Sequence, residues 1–127
     1  MAKLIEVGNL NKVIVTDDGD NMQGKYRGEL GDLTLALILY KIIDGMSRVE
    51  NFMQGDDKDT ARGIWVDLRD CLNEDKHSHQ FTGAEVDLLS RSCKATPAIG
   101  LCELDQILEE LEVAESMTGK KPKERAA

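Results

Sequence analysis

Cys71, His77, His79 and Cys93 are the residues whose types come nearest to a reactive or metal-binding centre. Two thiolates and two imidazoles would suit tetrahedral zinc. Their spacing matches no compact ligand motif. Cys71 and Cys93 also fall inside helical apolar stripes, which satisfies them as core residues. His77 and His79 are more simply an exposed loop pair, and no metal or other cofactor is expected. Cys102 makes the cysteine count odd, and the reading is of reduced thiols rather than a disulfide framework.

Asp17, Asp18, Asp20 and Glu29 invite a calcium reading. An EF-hand loop starting at Asp18 would put Asp20 third and Glu29 twelfth. It would also put Met22 fifth and Gln23 sixth, where the sharp turn needs glycine. An Asp- and Gly-rich turn between strands is the cheaper reading. Ser90, Ser92 and Cys93 lie near one another, and His77 or His79 could serve as a base. No nucleophile elbow, phosphate-binding glycine loop or kinase-type motif accompanies them. The chain is therefore read as non-enzymatic.

What remains is charge. The net charge is −8, and the tail Lys120-Lys121-Pro122-Lys123-Glu124-Arg125 carries +3 of its own, leaving −11 on residues 1–119. Such a body repels nucleic-acid phosphate and makes a poor direct DNA or RNA binder. It suits a protein partner with a basic surface, including one that itself handles nucleic acid. The acids placed to meet such a partner are Asp67, Asp70 and Glu74 outside the second helix. On the fourth helix they are Glu103, Glu109, Glu110, Glu112 and Glu115, with Asp105 beside them. A solvated face that merely keeps the protein in solution explains the same residues.

The elements that position these groups follow from hydrophobic spacing. Residues 33–53 are read as one long helix. Leu35, Ile38, Leu39, Ile42, Met46, Val49, Phe52 and Met53 recur at three- and four-residue steps, and Leu33, Leu37, Tyr40 and Ile43 fill the other face of its first half. A helix apolar all round must be covered all round, so this one is central. Asp32 is its expected N-cap, and Gly45 inside it marks a bend or a close approach. Before it, residues 2–7 and the β-branched 12–16 suggest an antiparallel pair, with 23–29 as a third strand.

A second helix over about 59–75 buries Ala61, Ile64, Trp65, Leu68, Cys71 and Leu72, with Trp65 as a core anchor. Phe81-Thr82-Gly83-Ala84-Glu85-Val86 carries a capping box and its hydrophobic staple, and starts a third helix that runs to about residue 94. Thr96-Pro97 repeats the start signal for a fourth helix over 97–117, with Leu101, Leu104, Ile107, Leu108 and Leu111 inward and Gly119 as its stop.

The expected architecture is α+β: a short N-terminal antiparallel sheet of two or three strands, then about four helices around the long one. Residues 1–119 form one domain and 120–127 a basic disordered tail. The apolar run is broken by Lys41 and Asp44 well short of the ~20 residues a bilayer needs. The first residues show no signal-peptide core, so a cytoplasmic location is expected. Three functions are open at this point. The first is a protein-binding module or inhibitor acting through the outer faces of the second and fourth helices. The second is a small-ligand binder or enzyme with a pocket between sheet and long helix near Asp17, Tyr26 and Arg27. The third is a homodimer or larger assembly joined through the fourth helix.

Overall fold

A computed structural model describes residues 4–97 and 99–118. In chain order it has β1 (Leu4–Val7), β2 (Gln23–Tyr26), β3 (Glu29–Asp32), α1 (Leu35–Met46), α2 (Asp57–Glu74), β4 (His79–Thr82), α3 (Gly83–Ala95) and α4 (Leu101–Thr118). The class is α+β, as the spacing implied: four helices with two antiparallel two-stranded sheets. No helix among the described residues is long and apolar enough to cross a membrane.

Strand pairing departs from the expectation. β1 pairs with β4, setting Ile5 opposite Phe81 and Val7 opposite His79, rather than with residues 12–16. Ile5, Val7 and Phe81 are all buried, so this pairing covers an apolar face contributed by both strands. Residues 12–16 are extended but touch neighbours only through isolated bridges, Val13 to Thr34 and Val15 to Asn21. Their backbone groups bond in several directions, Ile14 N–H to Leu33 and Met22 N–H to Ile14 among them. The expected third strand is the hairpin β2–β3. Arg27 and Gly28 both have positive φ (56° and 85°), the conformation of a type I′ turn, which matches strand twist.

α1 is the central helix, and Leu35, Leu39, Ile42 and Ile43 are buried on opposing faces because α2 and α3 both pack on it. Its N-cap is Thr34, whose hydroxyl accepts from Leu37 N–H at 3.3 Å. Asp32 is taken up in β3 and accepts from Gln23 at 2.6 Å instead. The helix stops at Met46, not 53. Ser47 turns its hydroxyl onto the Asp44 carbonyl at 2.7 Å, and Asn51 adopts a left-handed φ of 67°. Phe52 and Met53 thus return to the core through a turn, while Val49 is 47% exposed.

α3 has the capping box that its sequence announces: Thr82 Oγ1 accepts from Glu85 N–H at 3.2 Å, and the Glu85 carboxylate accepts from Thr82 N–H at 2.8 Å. The Thr96-Pro97 signal fails, and α4 begins at Leu101. The Thr96 hydroxyl is engaged at the end of α3, donating to the Ser92 carbonyl at 2.7 Å, so it caps nothing ahead of it. Leu101, expected inside, is 87% exposed, and Ile107, Leu111 and Ala114 carry the buried face of α4 against β1 and α3. Residues 2 and 3 of the expected first strand, the expected stop at Gly119 and the expected tail 120–127 lie outside the described residues.

Candidate functional site

Helical spacing places Trp65, Arg69 and Asn73 on one stripe of α2 at four-residue intervals. α1 packs against this helix and presents Tyr40, and the β2–β3 hairpin brings Tyr26. The Tyr40 and Trp65 rings stack at 5.3 Å with an interplanar angle of 23°. Tyr26 meets Tyr40 edge-on at 5.7 Å and 83°. The Arg69 guanidinium carbon lies 5.3 Å from the Trp65 ring centre. At the other end the Tyr26 hydroxyl donates to Asn73 Oδ1 at 2.7 Å, and Arg27 reaches the same oxygen at 3.4 Å. All three rings are partly buried, so the stack is a surface feature anchored in the core rather than part of its interior.

The local physics favours a rigid patch. Each aromatic pair is worth about 0.5–1.5 kcal/mol beyond area burial, and an exposed arginine over tryptophan adds about 0.5–1 kcal/mol. Burial, with Tyr26 and Asp44 behind it, pushes the Tyr40 phenol above its ordinary range, against the opposing effect of Arg69 and Arg27. Tyr40 stays neutral at physiological pH. Trp65 packs against the core as its place in the α2 stripe implies, but only in part, its ring being shared between core and solvent. The Trp65–Arg69 interval is visible in the sequence. Nothing in the sequence says that Tyr26, on a distant hairpin, closes the row.

The acids expected to form a partner surface divide into two groups. Asp67 faces His79 Nε2 at 3.3 Å, Asp70 faces Arg69 at 3.6 Å, and Glu74 faces Lys76 at 3.5 Å. Glu110 is turned inward: it accepts from Lys12 Nζ at 2.8 Å and from Asn9 Nδ2 at 3.0 Å, tying α4 to the segment after β1. Burial alone would raise its carboxyl, but the hydrogen bonds from Lys12 and Asn9 and the Lys12 charge together bring it below its ordinary value. Glu109, Glu112 and Glu115 are exposed, and among the described residues none of them or Glu103 forms an ion pair. α4 lies on β1 and α3 while α2 lies on α1 and α3, so the two acid sets belong to separate helices that share only α3 as a support.

The other candidate centres are dispersed. Cys71 and Cys93 are buried, and burial pushes the Cys93 thiol up to about 12. His77 Nδ1 sits 3.3 Å from Asn11 Oδ1, whereas the His79 ring packs edge-on to Phe81 at 4.9 Å in β4. The exposed-loop reading therefore holds for His77 and fails for His79, which is partly buried in a strand. Asp17, Asp18 and Asp20 occupy the turn closed by the Thr16–Asp20 hydrogen bond, and Glu29 begins β3. Among the described residues no three His, Cys, Asp or Glu side chains converge as a metal-binding group. Ser92 and Cys93 are fully buried, and Ser92 Oγ has no hydrogen-bond partner among the described residues.

Among the described residues one cleft of about 310 Å³ lies beside Trp65 between α1 and α2, lined also by Ile43, Asp44 and Ala61, and two further clefts bear on the expectations. One of about 250 Å³ lies between the β2–β3 hairpin and the α1 and α2 helices, and Tyr26, Leu37 and Leu72 line it. This is where a pocket between sheet and long helix was expected. Neither Asp17 nor Arg27 is on its lining: Asp17 interacts with Cys102 and Arg27 reaches Asn73. The other, of about 570 Å³, is an apolar groove between α1 and the chain linking α3 to α4. Comparison with protein-family models, with curated proteins and with solved structures returns no match to this chain.

Proposed function

We propose that this protein acts by binding another protein, non-enzymatically, with the Tyr26–Tyr40–Trp65–Arg69 row as the anchor of its contact surface. The observation that carries the reading is the row itself. A chain with one Trp, two Tyr and two Phe sets the Trp and both Tyr in a single half-buried stack capped by arginine. Trp, Tyr and Arg dominate the energetics of protein interfaces, because they offer large contact area with few rotatable bonds. The stack also holds these side chains in place before any partner arrives, which lowers the ordering cost of association.

The net charge of −8 and the exposed Glu109, Glu112 and Glu115 favour a partner with a basic surface, reached by electrostatic steering. A cytoplasmic protein that handles nucleic acid carries such a surface, and covering it would make this chain an inhibitor or modulator. The test is site-specific photocrosslinking from the exposed position 62 in the native cell, repeated with Arg69→Ala and with Glu109→Lys/Glu112→Lys. A single protein crosslinked by the parent chain and lost or weakened in both Arg69→Ala and Glu109→Lys/Glu112→Lys, with unchanged thermal unfolding, is the expected result. No crosslinked protein, or one indifferent to either variant, would overturn the reading.

A further inference from the structure

The groove of about 570 Å³ is lined mainly by Ile38, Ile42, Met46, Val49, Pro97 and Ile99. Its volume falls within the roughly 300–1,000 Å³ of sites that hold an apolar guest. Directly after its lining residue Gly100 comes Leu101, at 87% the most exposed large apolar residue among those described. An apolar knob thus stands beside an apolar hole. Two charged lining residues sit on different elements, Lys41 on α1 and Glu103 on α4, and neither makes an ion pair among the described residues.

We propose that this groove is a self-association surface whose occupant is Leu101 of a second copy of the chain. In a two-fold pair every contact is made twice, so a surface joins itself only if it is self-complementary. Here each Leu101 enters the other copy's groove, and each Lys41 faces the other copy's Glu103. A hydrocarbon ligand would account for the groove but not for the exposed leucine beside it or the opposite charges of Lys41 and Glu103. The two copies carry −8 each, so their long-range repulsion opposes association and is screened by salt. The pair therefore tightens as ionic strength rises, the reverse of an association driven by charge.

The surface is separate from the aromatic row, and the experiment distinguishes them. The mass of the full chain is measured by sedimentation equilibrium across the micromolar range, at low and at physiological salt, for the parent and four variants. The parent chain and Arg69→Ala are expected to be dimers that strengthen with salt. Leu101→Asp is expected to weaken the dimer by about a hundredfold, since two leucines lose their burial at roughly tenfold or more each. Lys41→Glu sets like charges face to face and weakens it too, and Lys41→Glu/Glu103→Lys restores it. Leu101, Lys41 and Glu103 are all at the surface or rim, and circular dichroism checks that each variant is folded. A parent chain that stays monomeric overturns the proposal. So does a dimer indifferent to Leu101→Asp and Lys41→Glu, or a monomer carrying a co-purified lipid or other apolar molecule.

Discussion

Replacing Gln106 is expected to loosen α4 from the extended segment it covers. Its side-chain amide treats Val15 as a neighbouring strand would: Oε1 accepts from Val15 N–H at 3.2 Å and Nε2 donates to the Val15 carbonyl at 2.8 Å. The site is partly buried, and Nε2 also reaches the Cys102 carbonyl at 3.3 Å. Each such bond contributes about 1 kcal/mol net, and a backbone group left without a partner costs about 1–3 kcal/mol where water cannot replace it. Gln106→Ala should therefore lose about 2 kcal/mol, read by urea denaturation at neutral pH. In a domain of this size that is a fall in Tm of about 6–10 °C.

Gln106→Glu sharpens the test. An ionised carboxylate at this place still accepts from Val15 N–H but repels the Val15 carbonyl, whereas the protonated acid can donate to it. The folded-state pKa at that position is then raised above its unfolded value. The sign follows: the variant's stability is fully present below the unfolded carboxyl pKa and is lost as pH rises through the folded one. Gln106→Glu should gain on the parent as pH is lowered through the carboxylate range. A Gln106→Ala variant within about 0.5 kcal/mol of the parent, the range of ordinary surface changes, would refute the pairing. So would a Gln106→Glu variant whose deficit does not shrink in acid.

Glu110→Ala should destabilise by about 1–2 kcal/mol while Glu109→Ala stays within about 0.5 kcal/mol, although both remove one acid from adjacent positions of α4. Because the Glu110 carboxyl is depressed in the folded chain, its contribution is present above the unfolded carboxyl pKa and lost as pH falls through the folded one, which denaturation across an acid series checks. Ser92→Ala removes a buried hydroxyl with no partner and should stabilise by about 1 kcal/mol in urea; a loss of stability would show that the hydroxyl is satisfied. Thr82→Ala breaks the capping box and should cost about 1 kcal/mol, with the change appearing in thermal unfolding. The Cys93 thiol, pushed up to about 12, should react with a thiol reagent near neutral pH only as fast as the chain unfolds, while denaturant exposes it at once.

Legibility in the sequence follows the range of the interaction. Thr82 and Glu85 lie within one turn of each other, so the cap of α3 is settled by neighbours alone and is found where the sequence puts it. The stripes of α1 and α2 are equally local: four-residue spacing fixes that Ile64, Leu68 and Cys71 share a face before any partner is known. Val13, Ile14 and Val15 have strand chemistry, but β propensity names no partner. Hairpin, helix start and the Gln106 amide divide their hydrogen bonds where a regular strand was expected. Thr96 fails as a start signal for a related reason. Its hydroxyl could serve either helix, and only the folded chain shows that it serves α3. Glu109 and Glu110 look alike in sequence, and Lys12, distant along the chain, makes one of them structural.

By itself the sequence determined an acidic α+β chain built around an apolar helix, because composition and short-range periodicity are properties of neighbouring residues. Only the tertiary structure decided that β4 pairs with β1, that Trp65 joins Tyr40 and Tyr26 at the surface, and that Leu101 stands out beside a groove. Those outcomes depend on which distant segments meet, and each is fixed by burial and hydrogen-bond competition across the whole chain rather than by the preference of any one stretch.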